Sequence, residues 1–469
     1  MFDSLRKIFW HVAQIFCNNG TMTWSEEASQ PSVLLAFRAE NARSFRDRFE
    51  LSLLATSMAE KEFVRDVPWR EGGTPIGVLP VAGFFGANGS GKSNVLKAIH
   101  DMRSLVLRSF RHGDPGGPID DRRPFLLDPR SRTAPTRFEI DLVLNGVRHE
   151  YGVVVDDERV IEEFAYWYPN GRAAALFVRT NDEVELGSVE RTKGRAVLEL
   201  LRPNALFLST AASANHRRLL PLYQWFSRNL LLAEADSRPF RQAMTTEMLS
   251  EPESRAQVLA LLHAADLGVT DAHKREVDPV MQDRLRRAVR ILSGTEGEPD
   301  ADEGPTFEQL GVVLSHQGTD GAVDLDPFDE SLGTRVWFGL IGPVVSALRT
   351  GSVFLADELD ASLHPALVAQ LIRLFQQPET NPRRAQLIFN SHDATLLGDA
   401  VTDRLLGRDQ IWFVEKRKDG ASHLFPLIDL DPRKQESIGK RYLAGRYGAT
   451  PIVSAQEFAA AAELITANQ

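Results

Sequence analysis

The octapeptide GANGSGKS, Gly86–Ser93, fits the pattern GxxxxGKS. Before it runs the apolar, glycine-spaced segment Ile76 to Phe85, and after it the segment VLKAIHDMRSLVL carries apolar residues at helical spacing. The pattern therefore predicts a strand, a glycine-rich loop and a helix, in that order.

The residue types in this loop are typical of phosphate binding. Glycines let the backbone amides point inward around phosphates, and Lys92 adds a positive charge near the β and γ positions. Ser93 supplies a hydroxyl to Mg²⁺. An ordinary glycine-rich turn is the alternative, and the placement between a strand and a helix disfavours it. We expect the loop to bind a nucleotide through Gly86, Asn88, Gly89, Ser90, Gly91, Lys92, Ser93 and Asn94.

Two acidic residues follow a second apolar segment far downstream. Ser352 to Asp357 reads as a strand that ends in the pair Asp357-Glu358. In a phosphate-loop protein we expect this strand beside the strand of the loop, with Asp357 in the Mg²⁺ shell and Glu358 directed at the attacking water. This arrangement predicts hydrolysis as well as binding. Alternatively, the acids mark the N-terminus of a helix.

A histidine follows a third apolar segment. Gln386 to Phe389 reads as a strand, and Ser391, His392 and Asp393 follow its end. A histidine at that position can hydrogen-bond the γ-phosphate, although most such histidines are only satisfied polar groups. Its order after Asp357-Glu358 favours the functional interpretation, so we expect His392 at the nucleotide.

The rest of the chain is predicted to mix sheets and helices. Val33 to Ala55 reads as a β-hairpin, and Asn-Gly pairs at 145–146 and 170–171 predict further hairpins in an antiparallel sheet. Residues of about 200 to 293 show helical periods and predict several packed helices. An acidic loop or linker follows at 294–305. A helix from about Ser331 to Arg349, stopped by Gly351, precedes the downstream strands.

Composition excludes several classes of protein. The chain has 469 residues, 54 Lys+Arg against 64 Asp+Glu, a net charge of −10 and one cysteine. A single cysteine cannot form an intrachain disulfide, which fits a reducing compartment, so we expect a cytoplasmic protein. No uncharged apolar run is long enough to cross a bilayer, so we expect no membrane partner. The acidic balance disfavours general coating of nucleic acid.

Together, these motifs resemble those of the ATP-binding-cassette (ABC) ATPases. The segments LADELDASLHPAL, SHDATLL, RDQIWFVEK and YLAGRYGATPI look like the compact branch related to the structural-maintenance-of-chromosomes (SMC) and overcoming-lysogenization-defect (OLD) proteins, close to ATPases of bacterial abortive infection. The resemblance implies an α/β fold: an ABC-type P-loop NTPase head with an N-terminal antiparallel β subdomain and a helical insertion. We expect a 1–30 extension, head segments at 31–200 and 306–469, and an insertion with its linker at 201–305.

The resemblance also implies residues that the motifs alone do not. The signature loop would be Asp329 to Thr334, in which Ser331 and Gly333 contact the γ-phosphate bound by the opposite subunit. The working site would then need an ATP-bound homodimer, or a higher oligomer. The segment FRAENARSF resembles the opening strand turn of the defence ATPases, where Arg43 would approach the nucleotide.

Two positions depart from the wider ABC pattern. No glutamine occurs between Ser93 and Gln224, so the usual glutamine loop is missing or replaced around Pro124-Phe125. His364 stands where many transporters have Asp, as is usual in the OLD-like branch. The sequence therefore does not show which residues would couple Mg²⁺ to the helical lobe, as the glutamine loop usually does.

The sequence also contains candidate residues for a nuclease site and for nucleic-acid contacts. Glu415 and Asp429 are too close in sequence to enclose the α/β domain of a Toprim nuclease, so we expect any nuclease to be a separate polypeptide. Clustered arginines could contact phosphates, but a solvated or salt-bridged face is the commoner interpretation. These are Arg103, Arg108, Arg111, Arg122, Arg123, Arg130, Arg132 and Arg137, with a second group at Arg284, Arg286, Arg287 and Arg290.

The leading hypothesis is a cytoplasmic, Mg²⁺-dependent ATPase that assembles around ATP. It would sense infection through a viral protein or nucleic acid and control a separate effector, a nuclease, in antiviral defence. The first alternative is a repair ATPase that handles DNA ends or junctions. The second is a non-hydrolysing scaffold with structural ATP.

Overall fold

The computed structural model describes residues 32–111, 113–187, 197–234, 237–274, 312–326, 329–398, 404–433, 437–451 and 454–466. The predicted extension at 1–30, the acidic linker at 294–305 and the second arginine group at 284–290 lie outside these residues. The predicted mixture of α and β structure is confirmed in the described residues.

A seven-stranded antiparallel sheet forms one layer of the molecule. Its order is β10-β9-β8-β7-β6-β1-β2. The strands are β1 (Ser32–Glu40), β2 (Phe49–Ser52), β6 (Thr136–Leu144), β7 (Val147–Val155), β8 (Val160–Trp167), β9 (Ala174–Thr180) and β10 (Glu183–Leu186). The pairing of β1 with β2 confirms the first predicted hairpin, and the rest of the sheet confirms the N-terminal antiparallel subdomain.

The two Asn-Gly pairs form different turns. Asn145 and Gly146 have φ values of 51° and 76°, as a type I′ turn between β6 and β7 requires. The second hairpin, β8–β9, is also present, but the tight turn predicted for it is wrong. Gly171 donates its N–H to the carbonyl of Tyr168, so a four-residue turn precedes β9 and only Gly171 has a positive φ.

A six-stranded sheet forms the second layer. Its order is β11-β15-β16-β5-β17-β18, parallel except for the last pair. The strands are β5 (Val81–Phe85), β11 (Leu230–Ala233), β15 (Val353–Ala356), β16 (Gln386–Asn390), β17 (Ile411–Lys416) and β18 (Ser422–Pro426). Buried Gln386 joins the two layers, because its side-chain amide exchanges hydrogen bonds with the backbone of Leu34 at a bulge in β1.

Helices cover this second sheet and connect it to the first. The helices of the described residues are α1 (Lys92–Arg108), α2 (Pro129–Thr133), α3 (Phe207–Ser213), α4 (Leu220–Arg228), α5 (Arg238–Met248), α6 (Pro252–Ala264), α7 (Leu332–Thr350), α8 (Pro365–Gln376), α9 (Ile438–Leu443) and α10 (Ala455–Thr466). None of them is long and apolar enough to cross a bilayer. Helix α7 begins after Ser331 and ends before Gly351, as predicted.

The region predicted to be helical contains strands as well. Four helices, α3 to α6, lie between residues 207 and 264. Strand β11 interrupts them and pairs with β15 in the parallel sheet, and β12 (Val269–Lys274) pairs in a second, three-stranded sheet with β13 (Val312–Gly318). That sheet continues with β14 (Gly321–Leu325), and a small hairpin joins β3 (Arg65–Val67) to β4 (Ile76–Val78). Helical periodicity missed β11 because its four apolar residues are too few to show a period.

Candidate functional site

The Gly86–Ser93 loop joins β5 to α1. At two of its glycines there is no room for a side chain. Gly91 has a φ of 112°, and a Cβ there would lie 2.2 Å from the hydroxyl of Ser422. A Cβ on Gly86 would lie 2.2 Å from the carbonyl oxygen of Val414. The hairpin β17–β18 therefore packs directly against the loop, and glycine is required at both positions.

Lys92 folds back on this loop. Its Nζ donates to the carbonyl oxygens of Gly86, at 2.8 Å, and Ala87, at 3.1 Å, and lies 3.3 Å from Nδ1 of His392. Since a lysine ammonium only donates, Nδ1 of His392 accepts. Burial lowers the pKa of Lys92 to about 8, and the nearby carboxylates of Asp360, Glu358 and Asp357 oppose that shift. The structure thus brings Lys92 and His392 together, 300 residues apart in sequence.

The downstream strands reach the loop in an order that differs from the prediction. Strand β16 lies between β15 and β5. The strand that ends at Asp357-Glu358 is therefore not a direct neighbour of the loop's own strand, because one strand separates them. The prediction of direct neighbours was wrong because periodicity marks strands without giving their lateral order. Parallel strands end at the same edge, so Asp357 and Glu358 still reach the loop.

Asn390, at the end of β16, fills the gap that this order creates. Its Nδ2 donates to Oδ1 of Asp357 and to Oγ of Ser93, at 3.3 Å, and its Oδ1 accepts from the backbone N–H of Glu358. The side chain is fully buried. Asn390 was not predicted as a site residue, although its position at the carboxyl end of a predicted strand could have identified it.

The donors joined by Asn390 fit a magnesium ion. Mg²⁺ prefers oxygen ligands and is bound through one or two carboxylates together with substrate phosphates. Asp357 offers a carboxylate and Ser93 a hydroxyl, and both contact the same amide. These two side chains would hold the ion, while Asn390 positions them.

Replacing Asn390 with Ala should raise the Mg²⁺ concentration needed for half-maximal ATP turnover by about 10- to 100-fold, as is typical when a partner of metal ligands is removed. The measurement is a Mg²⁺ titration of phosphate release. Asn381→Ala is the control, because that buried amide bonds the carbonyls of Phe375 and Ala385 away from the site. Equal Mg²⁺ curves for the two variants would contradict the assigned role.

Glu358 has an unusual backbone conformation. Its φ is 52°, in the left-handed region, and its side chain is exposed beside the cavity. Non-glycine residues adopt this conformation at some cost, and such residues cluster at functional sites. Here the conformation accompanies the hydrogen bond from Glu358 N–H to Asn390, which fixes the strand end while the side chain stays exposed at the cavity.

A cavity of about 520 Å³ lies at the phosphate loop, and Asp357 and Asn390 lie just outside its lining. That volume is within the range of small-molecule sites. Of the predicted residues, those that line the cavity are Asn88, Gly89, Ser90, Gly91, Lys92, Ser93, Asn94, Glu358 and His392. Gly86 contributes its carbonyl oxygen to Lys92. Ser44, Asp360, Ala361 and Lys416 also line it and were not predicted.

A chain of hydrogen bonds holds one wall of this cavity. Nδ2 of Asn94 donates to Oγ of Ser44, at 2.8 Å, and Oγ of Ser44 lies 2.8 Å from Oγ of Ser422. Ser422 also lies 2.6 Å from the carbonyl oxygen of Ser90, which only accepts. Because a hydroxyl has one proton, Ser422 donates to Ser90 and Ser44 donates to Ser422. The chain fixes the loop against β18 and the turn after β1.

Arg43 lies outside the cavity lining. Its guanidinium donates two hydrogen bonds of 2.6 Å to Asp101 on α1, and its backbone N–H donates to the carbonyl of Arg123. Phe125, in the segment expected to replace the glutamine loop, is buried and bonds the side chain of Asn41. These contacts attach the turn after β1 to α1 and to residues 123–125. Among the described residues that line the cavity, none is a glutamine.

Ser331 and Gly333, which the resemblance predicts as signature residues, also lie outside their own chain's cavity lining. Ser331 is exposed at the start of α7, where its Oγ accepts from the N–H of Thr334. A Cβ on Gly333 would lie 2.9 Å from the carbonyl oxygen of Ser362, in the loop after Glu358. Before them, buried Glu330 bonds His316 at 2.6 Å. The signature therefore presents an exposed helix start beside the loop that follows Glu358.

Several of the first arginine group are engaged within the chain. Arg103 bonds the carbonyl of Phe226, Arg108 pairs with Asp121, and Arg137 pairs with Glu139 and Glu162. Arg122 is buried and pairs with Asp157. For Arg108, Arg122 and Arg137 the salt-bridged interpretation is confirmed, whereas Arg103 is half-buried against a backbone carbonyl.

Comparison with solved structures gives only distant likeness. The SMC head domain from Thermotoga maritima is 11% identical, covers 84% of this chain and 98% of its own, and has a TM-score of 0.36. The Smc head domain with an extended coiled coil bound to the C-terminal domain of ScpA, from Pyrococcus furiosus, is 13% identical, covers 85% and 98%, and has a TM-score of 0.35. No curated protein matches the chain.

One protein family matches across the phosphate loop, the acidic pair and the histidine. It is described as "AAA domain, putative AbiEii toxin, Type IV TA system", and it matches residues 81–398, more than half of the chain. The chain therefore belongs to this family of AAA-domain P-loop ATPases.

Proposed function

We propose that this protein hydrolyses ATP with Mg²⁺ at a site completed by a second copy of the chain. The observation that carries the proposal is the convergence of Lys92, His392 and Glu358 on one cavity, with Asp357 joined to Ser93 through Asn390. These groups come from the ends of three parallel strands, where α/β sheets bind their ligands.

The chemistry follows from where each side chain lies. Lys92 and the loop amides bind the β- and γ-phosphates, and His392, in contact with Lys92, hydrogen-bonds the γ-phosphate. Ser93 and Asp357 would hold Mg²⁺, which would supply positive charge to offset the charge that develops on the phosphates. Glu358, exposed at the cavity, accepts a proton from the attacking water.

Removing the charge of Lys92 should weaken ATP binding. We expect Lys92→Ala to raise the Kd for ATP by about 10- to 100-fold, because hydrogen bonds to charged groups contribute roughly 1.5 to 3 kcal/mol. Calorimetric titration with ATP measures this. Lys97→Ala is the control on the same helix, since Lys97 lies 3.6 Å from Glu234 and outside the cavity lining. Unchanged affinity in Lys92→Ala would remove the loop from the mechanism.

The second copy supplies what the site in one chain lacks. Ser331 and Gly333 lie outside the cavity lining of their own chain, and Ser331 is exposed at the start of a 19-residue helix. The N-terminus of such a helix attracts anions through its free N–H groups and its dipole. An opposing subunit would place these groups against the γ-phosphate of the first.

The test is the solution mass of the Glu358→Gln protein with and without ATP and Mg²⁺, by light scattering. We expect at least a doubling with ATP, abolished by adding Ser331→Arg and retained with Ser57→Arg, a change at an exposed serine elsewhere. An ATP-independent mass would contradict assembly around the nucleotide. Assembly without phosphate release by the unmutated protein would favour a structural role for ATP.

We further propose that the cytoplasmic assembly senses infection and controls a separate effector, a nuclease, in bacterial antiviral defence. The family description, which names a toxin of a toxin–antitoxin system, supports this setting. The trigger would be a viral protein or nucleic acid. The test is plaque formation on cells that carry the gene with its neighbours, using Lys92→Ala as the inactive control. Protection that survives Lys92→Ala would contradict the role, and DNA-stimulated, salt-sensitive turnover without protection would favour repair.

A further inference from the structure

A second cleft, of about 660 Å³, lies away from the nucleotide cavity. One wall comes from residues 61–66, which end in the first two residues of β3, and another from the C-terminal end of α8 and the residues that follow it. None of its lining residues lines the nucleotide cavity. Its volume fits a small molecule rather than a polymer.

Arg65 gives this cleft an unusual donor. Its Nη1 bonds the carbonyl oxygens of Glu62, at 3.1 Å, and Val64, at 2.9 Å. Its Nε and Nη2 are buried and have no hydrogen-bond partner among the described residues. These two nitrogens form one edge of the guanidinium, the edge that binds a carboxylate or phosphate through two parallel hydrogen bonds. Leaving both donors unpaired costs free energy, which an anion in the cleft would recover once the Arg65 side chain turns this edge toward it.

A second arginine lines the cleft from a different element. Arg373 lies in the last turn of α8, is half-buried and makes no hydrogen bond or ion pair in the described part of the chain. Lys61 adds a third cation at the mouth, where it is exposed. Two flexible cations thus line the cleft together with Arg65.

The acidic groups around the cleft leave these cations available. Glu62 and Asp66 line it but are both exposed, and Glu379 acts on Arg65 from nearby without a hydrogen bond. Arg404, which also lines the cleft, is already paired with Glu60 at 3.0 Å. Arg65 and Arg373 are therefore the two guanidinium groups to which an entering anion would bind.

We propose that this cleft is a second ligand site, which binds a small phosphate-bearing molecule between Arg65 and Arg373. A phosphate group has the oxygen geometry that the free edge of Arg65 requires, and its charge suits two guanidinium groups. The site is connected to the ATPase machinery by α8, which begins at Pro365, seven residues after Glu358, with His364 as its N-cap. Ligand held by Arg373 therefore contacts the far end of the helix that follows Glu358.

The test uses labelled inorganic pyrophosphate and equilibrium dialysis on the full chain. Lys92→Ala weakens the phosphate loop, so we expect that variant to keep one pyrophosphate site. Adding Arg65→Gln or Arg373→Gln should weaken this remaining site about tenfold each. Arg172→Gln, an equal charge change in the exposed β8–β9 turn, should leave it unchanged. Loss of all binding in Lys92→Ala alone, or equal binding in all four proteins, overturns the proposal.

A second measurement works without substitutions. Phenylglyoxal modifies accessible arginines, and peptide mass spectrometry gives the rate at each. Pyrophosphate added to the ADP-saturated protein should slow modification of Arg373, which is half-buried at the cleft, and leave exposed Arg172 unaffected. Unslowed modification would contradict the site. Protection by a single-stranded oligonucleotide at lower concentration than by pyrophosphate would overturn the small-ligand assignment in favour of nucleic acid.

Discussion

Glu358→Gln should lower the rate of ATP hydrolysis by about 10²- to 10⁴-fold, the usual contribution of a positioned general base, while ATP binding is kept. Gln preserves the size of the side chain and cannot take a proton. The left-handed backbone at this position is held through the N–H bond to Asn390, which the substitution leaves in place. The rate of phosphate release under single turnover measures the chemical step.

The control is Glu379→Gln, an exposed glutamate just beyond α8 that lies outside the nucleotide cavity. It should hydrolyse ATP at the unmutated rate. Normal turnover in Glu358→Gln would refute the general-base assignment. A loss of ATP affinity together with turnover would instead point to damage of the loop, because Glu358 faces the cavity that also holds Lys92.

Arg179→Met should destabilise the fold by roughly 3 to 5 kcal/mol, as the loss of one partner of a buried ion pair does. Arg179 is 1% exposed and bonds the carbonyls of Asn181, at 2.6 Å, and Ala205, at 2.7 Å. Its guanidinium lies 3.9 Å from the carboxylate of Glu163, which is fully buried. Without the guanidinium, that carboxylate keeps its desolvation cost and loses its counter-charge.

Loss of the Arg179 guanidinium also affects α3, because Glu163 caps the N-terminus of that helix. Its two oxygens accept from the N–H groups of Phe207 and Leu208, at 2.6 and 2.9 Å, and from the hydroxyl of Tyr151. Burial raises the pKa of Glu163, and Arg179 opposes that rise. Urea unfolding, monitored by fluorescence, measures how much Arg179→Met lowers the free energy of unfolding. Arg38→Met, which breaks an exposed pair with Glu50, should cost under about 1 kcal/mol, and equal losses would contradict the buried network.

Local pattern predicted the elements of the site well. The Gly-rich loop after an apolar strand, and the acids and histidine after two more, lie at one sheet edge because parallel strands end together. What local pattern could not predict was lateral order and pairing. The pairing of β16 with β5 and the contact of Asn390 with Ser93, 297 residues apart, depend on distant parts of the chain. Arg43 faces Asp101 for the same reason, since charge alone names no partner.

The second cleft was also invisible in the sequence. The sequence does not distinguish Arg65 from the other arginines. Only the structure shows that Nη1 bonds two backbone carbonyls while Nε and Nη2 are unpaired among the described residues. Arg373 reads as an ordinary cation near the end of a helix, a favourable position in any protein. Their proximity comes from the packing of residues 61–66 against α8, which no local period encodes.

The order of the parallel sheet affects how the protein is made. Strand β5 has as its neighbours β16 and β17, and the contact between Lys92 and His392 spans 300 residues. At synthesis speeds of about 5 to 20 residues per second, the loop would wait roughly 15 to 60 s for its neighbours to leave the ribosome. The antiparallel layer, whose strands all lie before residue 187, can form during that time. A nascent chain therefore cannot bind ATP in the middle of translation, and the nucleotide site appears only when the downstream strands arrive.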